Sequence, residues 1–460
     1  MIGRRLIDRR LAAVLLAGMA FGESIAAAQS DATSLKTDML RVGVATASFQ
    51  ADDSMQIAGG MGPGRAVGQE GDLRAVAFVL ERLGSERLAI VACDVLFVTR
   101  EMIDKVAEQI QQSCGISPSH LLVNATHTHH APSTVRIHGC EPEPEFVRSV
   151  EEGIVSAVEE ATRRLTACRL QFALNEDVNV GKNSRMRLKD NTIYWIGPSP
   201  DALEPTGPFD SQMPVLSFRS ADERLVGVLY NHSTHTIGTL SPKVRSPSFY
   251  GLAAQQLEQQ WNAPVCFLEG ASGSTHNLTH ETTDALTVVK QAVSAGVEKG
   301  QPMAVNRLAA IKRPFRFKVR TFDEAMEDEK VSSYCQRRVP AVAEAYANIF
   351  RQMRLELQAE QGKERQTLLQ AMLIDEVAIV GVPAEFFTGL GMEIKKRSPY
   401  QRTYIAELAN DWIGYLPDRE AHRLGGYQTW MGLHSYAEIG TGERVVDQMI
   451  DMLNELAKQP

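Results

Sequence analysis

The sequence predicts an α/β protein with a mixed, largely parallel β-sheet flanked by helices and a functional site at the carboxyl ends of strands. Three observations predict it. Short apolar runs alternate with amphipathic segments along the chain. Side chains able to bind a metal follow several of those runs, and no internal repeat, low-complexity segment or long linker interrupts them. We therefore expect one domain over residues 29–460.

Composition excludes some classes of function. The chain has 460 residues, of which 44% are hydrophobic and 23% charged, as in ordinary globular proteins. Its net charge of −8 offers no basic surface to nucleic acid, which we exclude as a partner. The six cysteines are scattered without a C-x-x-C pair, so we expect no cysteine-ligated metal. Cys93 and Cys266 lie in apolar runs and should be buried as small hydrophobic side chains.

Residues 1–28 have the three-part layout of a secretory signal peptide. A cationic start, "MIGRRLIDRR", precedes the apolar run "LAAVLLAGMAFG" and the small residues of "ESIAAAQS", with cleavage expected after Ala28. The paired Arg9 and Arg10 are also compatible with twin-arginine export. The apolar run is too short to cross a bilayer, and no later stretch is long enough. We expect a periplasmic or secreted protein without a transmembrane segment.

The predicted elements follow from apolar spacing. Short apolar runs predict strands over 87–98, 121–126, 225–231, 264–269, 376–383 and 403–410. Helical spacing predicts helices over 101–114, 145–165, 250–261, 282–293, 338–361, 389–397 and 443–458. Strands alternating with helices predict crossover connections and hence parallel pairing.

Polar side chains with metal-binding chemistry follow five of these strands. In chain order they are His127, His129 and His130; His232 and His235; Ser272, Ser274 and His276; Glu385; and Asp411 and Tyr415. Because ligand sites in α/β sheets form outside the carboxyl ends of strands, these side chains predict one shared site.

Imidazole and carboxylate groups suit zinc, and a catalytic zinc ion typically keeps three protein ligands and a water. His127 and His129 are two residues apart and can face one cavity in an extended segment. Such a site can acidify water and polarise a carbonyl group. Each segment also has a structural interpretation: a lone histidine after a strand is often structural, and "GASGSTHN" could cap the next helix. The recurrence at strand ends favours the metal site.

Five motifs in this order resemble the neutral/alkaline non-lysosomal ceramidases, and most closely their bacterial ceramidase-like members: "NATHTHHAPS", "YNHSTHT", "FLEGASGSTHN", "VGVPAEFFT" and "LANDWIGYLP". The resemblance covers about residue 40 to the C-terminus. It implies a zinc amidohydrolase with one Zn²⁺ per chain, held by His127, His235, Glu385 and Tyr415. It further implies that His129 binds or polarises the substrate carbonyl and that an arginine, here assigned as Arg185, lies near the site.

The sequence departs from the family where true ceramidases carry "G-D-x-S-P-N" with a catalytic serine. Here the run is "GSTHN", so that His276 replaces the serine and Ser274 the aspartate. Either Ser272 or Ser274 is the nucleophile, or zinc-bound water attacks directly. We favour the water, because no base adjoins either serine in sequence. His276 would then be a general acid or base, an added ligand or a substrate contact.

A second departure is that we expect no C-terminal immunoglobulin-like domain. This expected absence, and the lack of an apolar loop suited to meet a membrane, weigh against a membrane-embedded lipid. The expected substrate is a small molecule or a lipid-like or glycan-derived molecule. The predicted function is an exported zinc-dependent hydrolase of amide or related ester or lactone bonds. The alternatives are a non-catalytic metal- or ligand-binding protein and a metal-dependent carbohydrate-active enzyme.

A loop near the C-terminus is rich in aromatic and imidazole side chains. They are His422, Tyr427, Trp430, His434 and Tyr436. Aromatic rings with polar tips suit the walls of a ligand pocket, although they also pack long surface loops.

Overall fold

Two β-sheets packed face to face between helices form the core of the protein. The computed structural model describes residues 40–82 and 87–459, and the predicted signal peptide lies outside the described residues. Apolar side chains of the larger sheet, among them Phe78 and Leu229, pack against Met372 and Ile379 of the smaller sheet. No helix in the described ranges is both long and apolar enough to cross a membrane.

The described residues form nineteen strands and nine α-helices. The strands are β1 (Arg41–Ser48), β2 (Arg74–Glu81), β3 (Leu88–Cys93), β4 (Leu121–Ala125), β5 (Thr166–Asn175), β6 (Lys182–Asn183), β7 (Met186–Leu188), β8 (Ala202–Pro205), β9 (Met213–Ser220), β10 (Leu225–His232), β11 (Val265–Glu269), β12 (Thr275–His276), β13 (Gln301–Met303), β14 (Leu308–Lys318), β15 (Glu364–Ile374), β16 (Val377–Val382), β17 (Glu385–Phe386), β18 (Arg402–Glu407) and β19 (Tyr415–Leu416). The helices are α1 (Arg100–Cys114), α2 (Pro144–Arg163), α3 (Ser248–Trp261), α4 (Thr282–Lys299), α5 (Glu324–Arg338), α6 (Ala343–Leu357), α7 (Thr388–Arg397), α8 (Arg419–Leu424) and α9 (Thr441–Lys458).

The larger sheet has the strand order β11-β10-β9-β5-β1-β2-β3-β4, with β13 also paired to β5. The predicted α/β class, with a mixed sheet flanked by helices, is confirmed. The expectation of a largely parallel sheet needs correction, because within this sheet only β3/β4 and β10/β11 are parallel. Parallel neighbours need a crossover, which α1 and α3 supply for these two pairs. Four long strands of this sheet that the apolar pattern did not predict, β1, β2, β5 and β9, pair antiparallel with one another or with their other neighbours.

The smaller sheet, β14-β15-β16-β18, ends in a parallel pair joined through α7. Its outer face packs against α7 and α9, where Val445, Met449, Leu453 and Leu456 repeat at helical spacing and are buried. The outer face of the larger sheet packs against α1 and α2 on one half and α3 and α4 on the other. The molecule thus has helix, sheet, sheet and helix layers.

The helix predicted over 338–361 begins later than its apolar spacing indicates. In the structure α6 starts at Ala343, and a 3₁₀ turn continues from Gln358 to Glu360. Pro340 accounts for the late start, because proline disfavours helical backbone in the residue before it and has no N–H to donate.

The two sheets bring the carboxyl ends of their strands to one place. Asn124 of β4 accepts a hydrogen bond from the backbone N of Glu269 at 2.9 Å and donates to the carbonyl of Glu407. One side chain therefore ties the ends of β4, β11 and β18 together. The residues that follow these strands form the site described next.

Candidate metal centre

Three imidazoles converge just beyond the strand ends. The ligand atoms of His127, His129 and His235 all lie within 4.8 Å of one another. The Nε2 atoms of His127 and His129 are 3.2 Å apart. Glu385 Oε1 lies 3.6 Å from His127 Nε2 and 3.7 Å from His235 Nε2. Ligands bound at about 2 Å to one tetrahedral zinc ion are separated by similar distances.

Tyr415 completes the set of residues predicted to hold the metal. Its hydroxyl lies 3.1 Å from His235 Nε2. The short parallel pairing of β17 with β19 places Glu385 directly beside Tyr415. The structure thus brings together His127, His235, Glu385 and Tyr415, although 288 positions separate the first from the last.

Backbone carbonyls orient all three imidazoles. The Nδ1 atom of His127 lies 3.1 Å from the carbonyl oxygen of Leu96, and that of His129 lies 2.8 Å from the carbonyl of Gly59. His235 Nδ1 lies 2.9 Å from the carbonyl of Ser272. Because a carbonyl only accepts, each Nδ1 carries the proton and each Nε2 keeps a lone pair toward the centre.

Burial sets the charges of the centre. It lowers the pKa of His127 and His129 well below the usual value and that of His235 to about 4, so these rings are neutral at pH 7. It also raises the pKa of Glu385 to about 8. The neutral imidazoles provide no positive charge to stabilise an ionised Glu385, and a divalent cation would provide it. The donor set therefore fits the metal that the resemblance implies.

A cavity of about 450 Å³ opens above the centre. His129, His276 and Tyr415 reach it from the metal centre, and the remaining walls combine aromatic side chains with aliphatic and small ones. Trp195 and Tyr427 stack with ring centroids 4.8 Å apart and planes within 7°. His129 therefore both lies close enough to His127 to be a ligand and faces the space a substrate would occupy.

The C-terminal loop only partly forms this cavity. Tyr427 lines it, whereas Trp430 and His434 pack behind Tyr427 against Phe350. Tyr436 is buried between the smaller sheet and α9, beside Phe317 of β14. Trp195 was not anticipated, because its own segment has no motif and only the tertiary packing brings it to Tyr427.

Comparison with known proteins bears on this site. Residues 63–272 match the family described as neutral/alkaline non-lysosomal ceramidase, N-terminal. The fold matches the crystal structure of neutral ceramidase from Pseudomonas aeruginosa with a TM-score of 0.72 at 18% identity, over 91% of this chain and 74% of that chain. The resemblance to the neutral/alkaline ceramidases is confirmed.

A second structure, described as ceramidase complexed with C2, matches this ceramidase-like chain with a TM-score of 0.72 and 17% identity, covering 92% of this chain and 76% of that chain. Among curated proteins, none matches the sequence significantly. The family match includes His127, His129 and His235 but ends before His276 and Glu385. Family and fold together indicate a hydrolase.

His276 stands at the wall of the cavity in this ceramidase-like chain. Its ring stacks on that of His235 with centroids 4.0 Å apart, and its Nδ1 lies 2.8 Å from the hydroxyl of Ser184. The pairing of β12 with β6 places His276 opposite Lys182, two residues before Ser184. Burial and the neighbouring His235 keep the pKa of His276 well below its usual value, so the ring is neutral. It can hydrogen-bond a substrate or carry a proton.

The structure places the hydroxyl of Ser274 in a helix cap. Its hydroxyl accepts a hydrogen bond from the backbone N of Thr388 at 3.2 Å and donates to the Thr388 hydroxyl at 3.1 Å, which caps the start of α7. The other candidate serine, Ser272, donates to Glu407 Oε1 at 2.6 Å. Neither serine lines the cavity among the described residues.

The structure places Arg185 behind the wall of the cavity. The side chain is buried and does not line the cavity. Its guanidinium donates to Gln428 Oε1 at 2.7 Å and to the carbonyl of Gly425 at 2.6 Å, and it lies over the ring of Phe387. Arg185 therefore supports the wall formed by Tyr427 and Gln428 from behind.

Two further residues around the centre were not predicted as site residues. Glu407 accepts hydrogen bonds from the backbone N atoms of Ser272 and Phe386 at 3.0 and 2.7 Å, and so links the loops behind His235 and Glu385. Trp412 Nε1 donates to Glu385 Oε2 at 3.2 Å. Trp412 lies in the "NDWIGY" segment, but nothing local distinguishes an indole that orients a ligand from one that only packs.

Proposed function

We propose that this protein is an exported, zinc-dependent hydrolase of amide or related ester or lactone bonds in a small molecule. The observation that carries the proposal is the convergence of His127, His235, Glu385 and Tyr415 beneath an aromatic cavity. A bound zinc ion supplies an acidified water and a Lewis acid for the substrate carbonyl. Export, by the signal peptide of residues 1–28, to the periplasm or the medium is part of the proposal.

The surrounding residues have separable roles. His129 faces the cavity beside His127 and can hold the substrate carbonyl, while the Trp195–Tyr427 stack holds the rest of the molecule and excludes water. His276, fixed by Ser184, is within the cavity to accept or donate a proton. Because Ser272 and Ser274 are engaged elsewhere, the proposal assigns the attack to water.

The experiment that tests the proposal measures metal and turnover together. Purified protein should contain one zinc ion per chain by elemental analysis and hydrolyse a member of a panel of N-acyl, ester and lactone substrates. A chelator should abolish turnover, and zinc should restore it. His127→Ala should lose both metal and turnover, whereas Lys396→Gln, at an exposed position outside the site, should keep both.

Two outcomes would count against the proposal. A protein that holds no transition metal after zinc is supplied would remove the metal centre. One zinc ion per chain with no turnover on the whole panel would favour the metal-binding protein without catalysis.

A further inference from the structure

A second cavity, of about 600 Å³, lies beside the catalytic cavity. The two share a wall built from the same two segments. Residues 191–193 line the second cavity and residues 194–196 the catalytic one. In the other segment, Gly425, Gly426, Thr429 and Trp430 face the second cavity, and Tyr427 and Gln428 face the first.

Cationic side chains outnumber acidic ones in the lining of the second cavity. Arg320, Lys330, Arg337 and Arg423 line it together with a single carboxylate, that of Glu327. Three of these cations have a carboxylate partner: Lys330 pairs with Glu327 at 2.7 Å, Arg423 with Glu420, and Arg337 with Asp190 at 3.7 Å. Among the described residues, Arg320 has none within ion-pair distance.

Arg320 is held rigidly at the inner end of this cavity. Its Nη2 donates to the carbonyls of Thr429 and Ser435 at 2.9 and 3.1 Å. Its Nη1 lies 3.1 Å from His422 Nδ1, which must accept because a guanidinium only donates. The proton of His422 is therefore on Nε2, so the ring is a fixed donor that lines the same cavity.

The electrostatic surroundings agree with this geometry. Burial, together with the nearby charges of Arg320, Arg185 and Arg419, lowers the pKa of His422 to about 3. Arg185 and Arg320 are both largely enclosed and bound mainly by neutral oxygens rather than by carboxylates. The charge of Glu327 acts on Arg320 only from beyond ion-pair distance. A buried cation without a paired counter-charge is costly, and an anion in this cavity would reduce that cost.

We propose that the second cavity binds a small molecule carrying a phosphate or sulfate group, held by Arg320 and His422, and that its binding alters the catalytic cavity through the shared wall. The two cavities are connected through one hydrogen bond, because Arg320 donates to the carbonyl of Thr429, two residues after Tyr427. Trp195 stacks on Tyr427 across the wall, and its backbone N bonds to the hydroxyl of Tyr334, which lines the second cavity. The binding site stands on its own; the effect on catalysis rests on the proposed function.

Inorganic phosphate and sulfate are the probes for this site. Titration calorimetry on the full protein in a chloride buffer should show one saturable site for either anion. Arg320→Gln should remove binding, but the buried arginine also supports the fold. The exposed Lys330→Gln and Arg337→Gln variants therefore serve as second tests, and each should weaken binding about five- to tenfold. Lys396→Gln, equally charged but remote, should bind as the wild type does.

The proposed site would be overturned if neither anion showed saturable binding. It would also be overturned if Lys330→Gln and Lys396→Gln weakened anion binding equally. Its coupling is read from KM and kcat for whichever substrate the panel identifies, with and without phosphate. We expect a change in KM that Arg337→Gln reduces, and an unchanged KM at saturating phosphate would overturn the coupling. Anion binding without any hydrolysis would leave the site in place and contradict the proposed function, so the two failures are distinguishable.

Discussion

At the scale of single residues, two buried carboxyl groups behind the metal centre differ in the hydrogen bonds that they accept. Glu407 accepts three hydrogen bonds, from the backbone N and hydroxyl of Ser272 and from the backbone N of Phe386. Glu269 accepts one, from the Thr236 hydroxyl at 2.8 Å, and its Oε1 has no hydrogen-bond partner among the described residues. Burial raises the pKa of both groups; the nearby charge of Glu407 raises that of Glu269 further, and the charge of Glu385 acts in the same direction on Glu407. The donors around Glu407 favour the negative charge there and the proton on Glu269.

This difference predicts that the same change, glutamate to glutamine, has a large effect at Glu407 and a small effect at Glu269. Glu407→Gln should weaken zinc binding about 10- to 100-fold, because the loops behind His235 and Glu385 lose their common acceptor. It should also destabilise the protein by about 1–3 kcal/mol. Glu269→Gln replaces a protonated carboxyl group by an amide of similar shape. It should change zinc affinity and stability by little. Chelator competition and urea unfolding measure the two effects, and equal losses in both variants would contradict the assignment.

At the scale of elements, the turn of residues 270–274 packs against β17 without space for a side chain. A Cβ atom on Gly273 would lie 2.6 Å from the carbonyl carbon of Glu385 and closer still to its oxygen. Gly273 also donates its backbone N–H to Phe386 at 3.0 Å. The glycine therefore sets how closely the turn that orients His235 approaches the strand that carries Glu385.

Gly273→Ala should push these two elements apart and separate two metal ligands. We expect loss of zinc binding and turnover, together with destabilisation of about 1–3 kcal/mol from overpacking. Gly389→Ala is the matched control, because it lies in α7 and its Cβ would meet Pro208 at an ordinary 3.7 Å. That variant should bind zinc normally and be as stable or more stable. Normal zinc content in Gly273→Ala would show that the close approach is not required.

At the scale of the whole molecule, several buried neutral histidines oppose folding in acid. Burial lowers the pKa of His130, His138 and His232 to about 4 each. In the unfolded chain they titrate near about 6.5. Between these values the unfolded state binds more protons, so their contribution to stability is present above about pH 6.5 and is lost as the pH falls toward 4. Asp94 acts in the opposite direction, because burial raises its pKa to about 7.

The contribution of one histidine can be isolated. His232 bonds through both ring nitrogens, to the Tyr250 hydroxyl and to the carbonyl of Val178. In metal-free protein, His232→Gln should reduce the slope of unfolding free energy against pH between pH 5 and 6 by about 1.4 kcal/mol per pH unit. Tyr250→Phe removes one of those hydrogen bonds but not the titrating group, and should lower stability while keeping the slope. An unchanged slope in His232→Gln would show that His232 is protonated in the folded protein.

The sequence alone determined which strands are followed by residues of the candidate site. Apolar runs and the residues after them are local features, so they identified the strands leading to His127, His235, Glu385 and Tyr415 and the resemblance to the ceramidases. Tertiary structure decided the rest. Antiparallel strands β1, β2, β5 and β9 have no crossover helix to mark them, and the roles of Ser274 and Arg185 depend on Thr388 and Gln428, more than a hundred positions away. Backbone periodicity is set by neighbouring residues, whereas a side chain's function is set by what packing places against it.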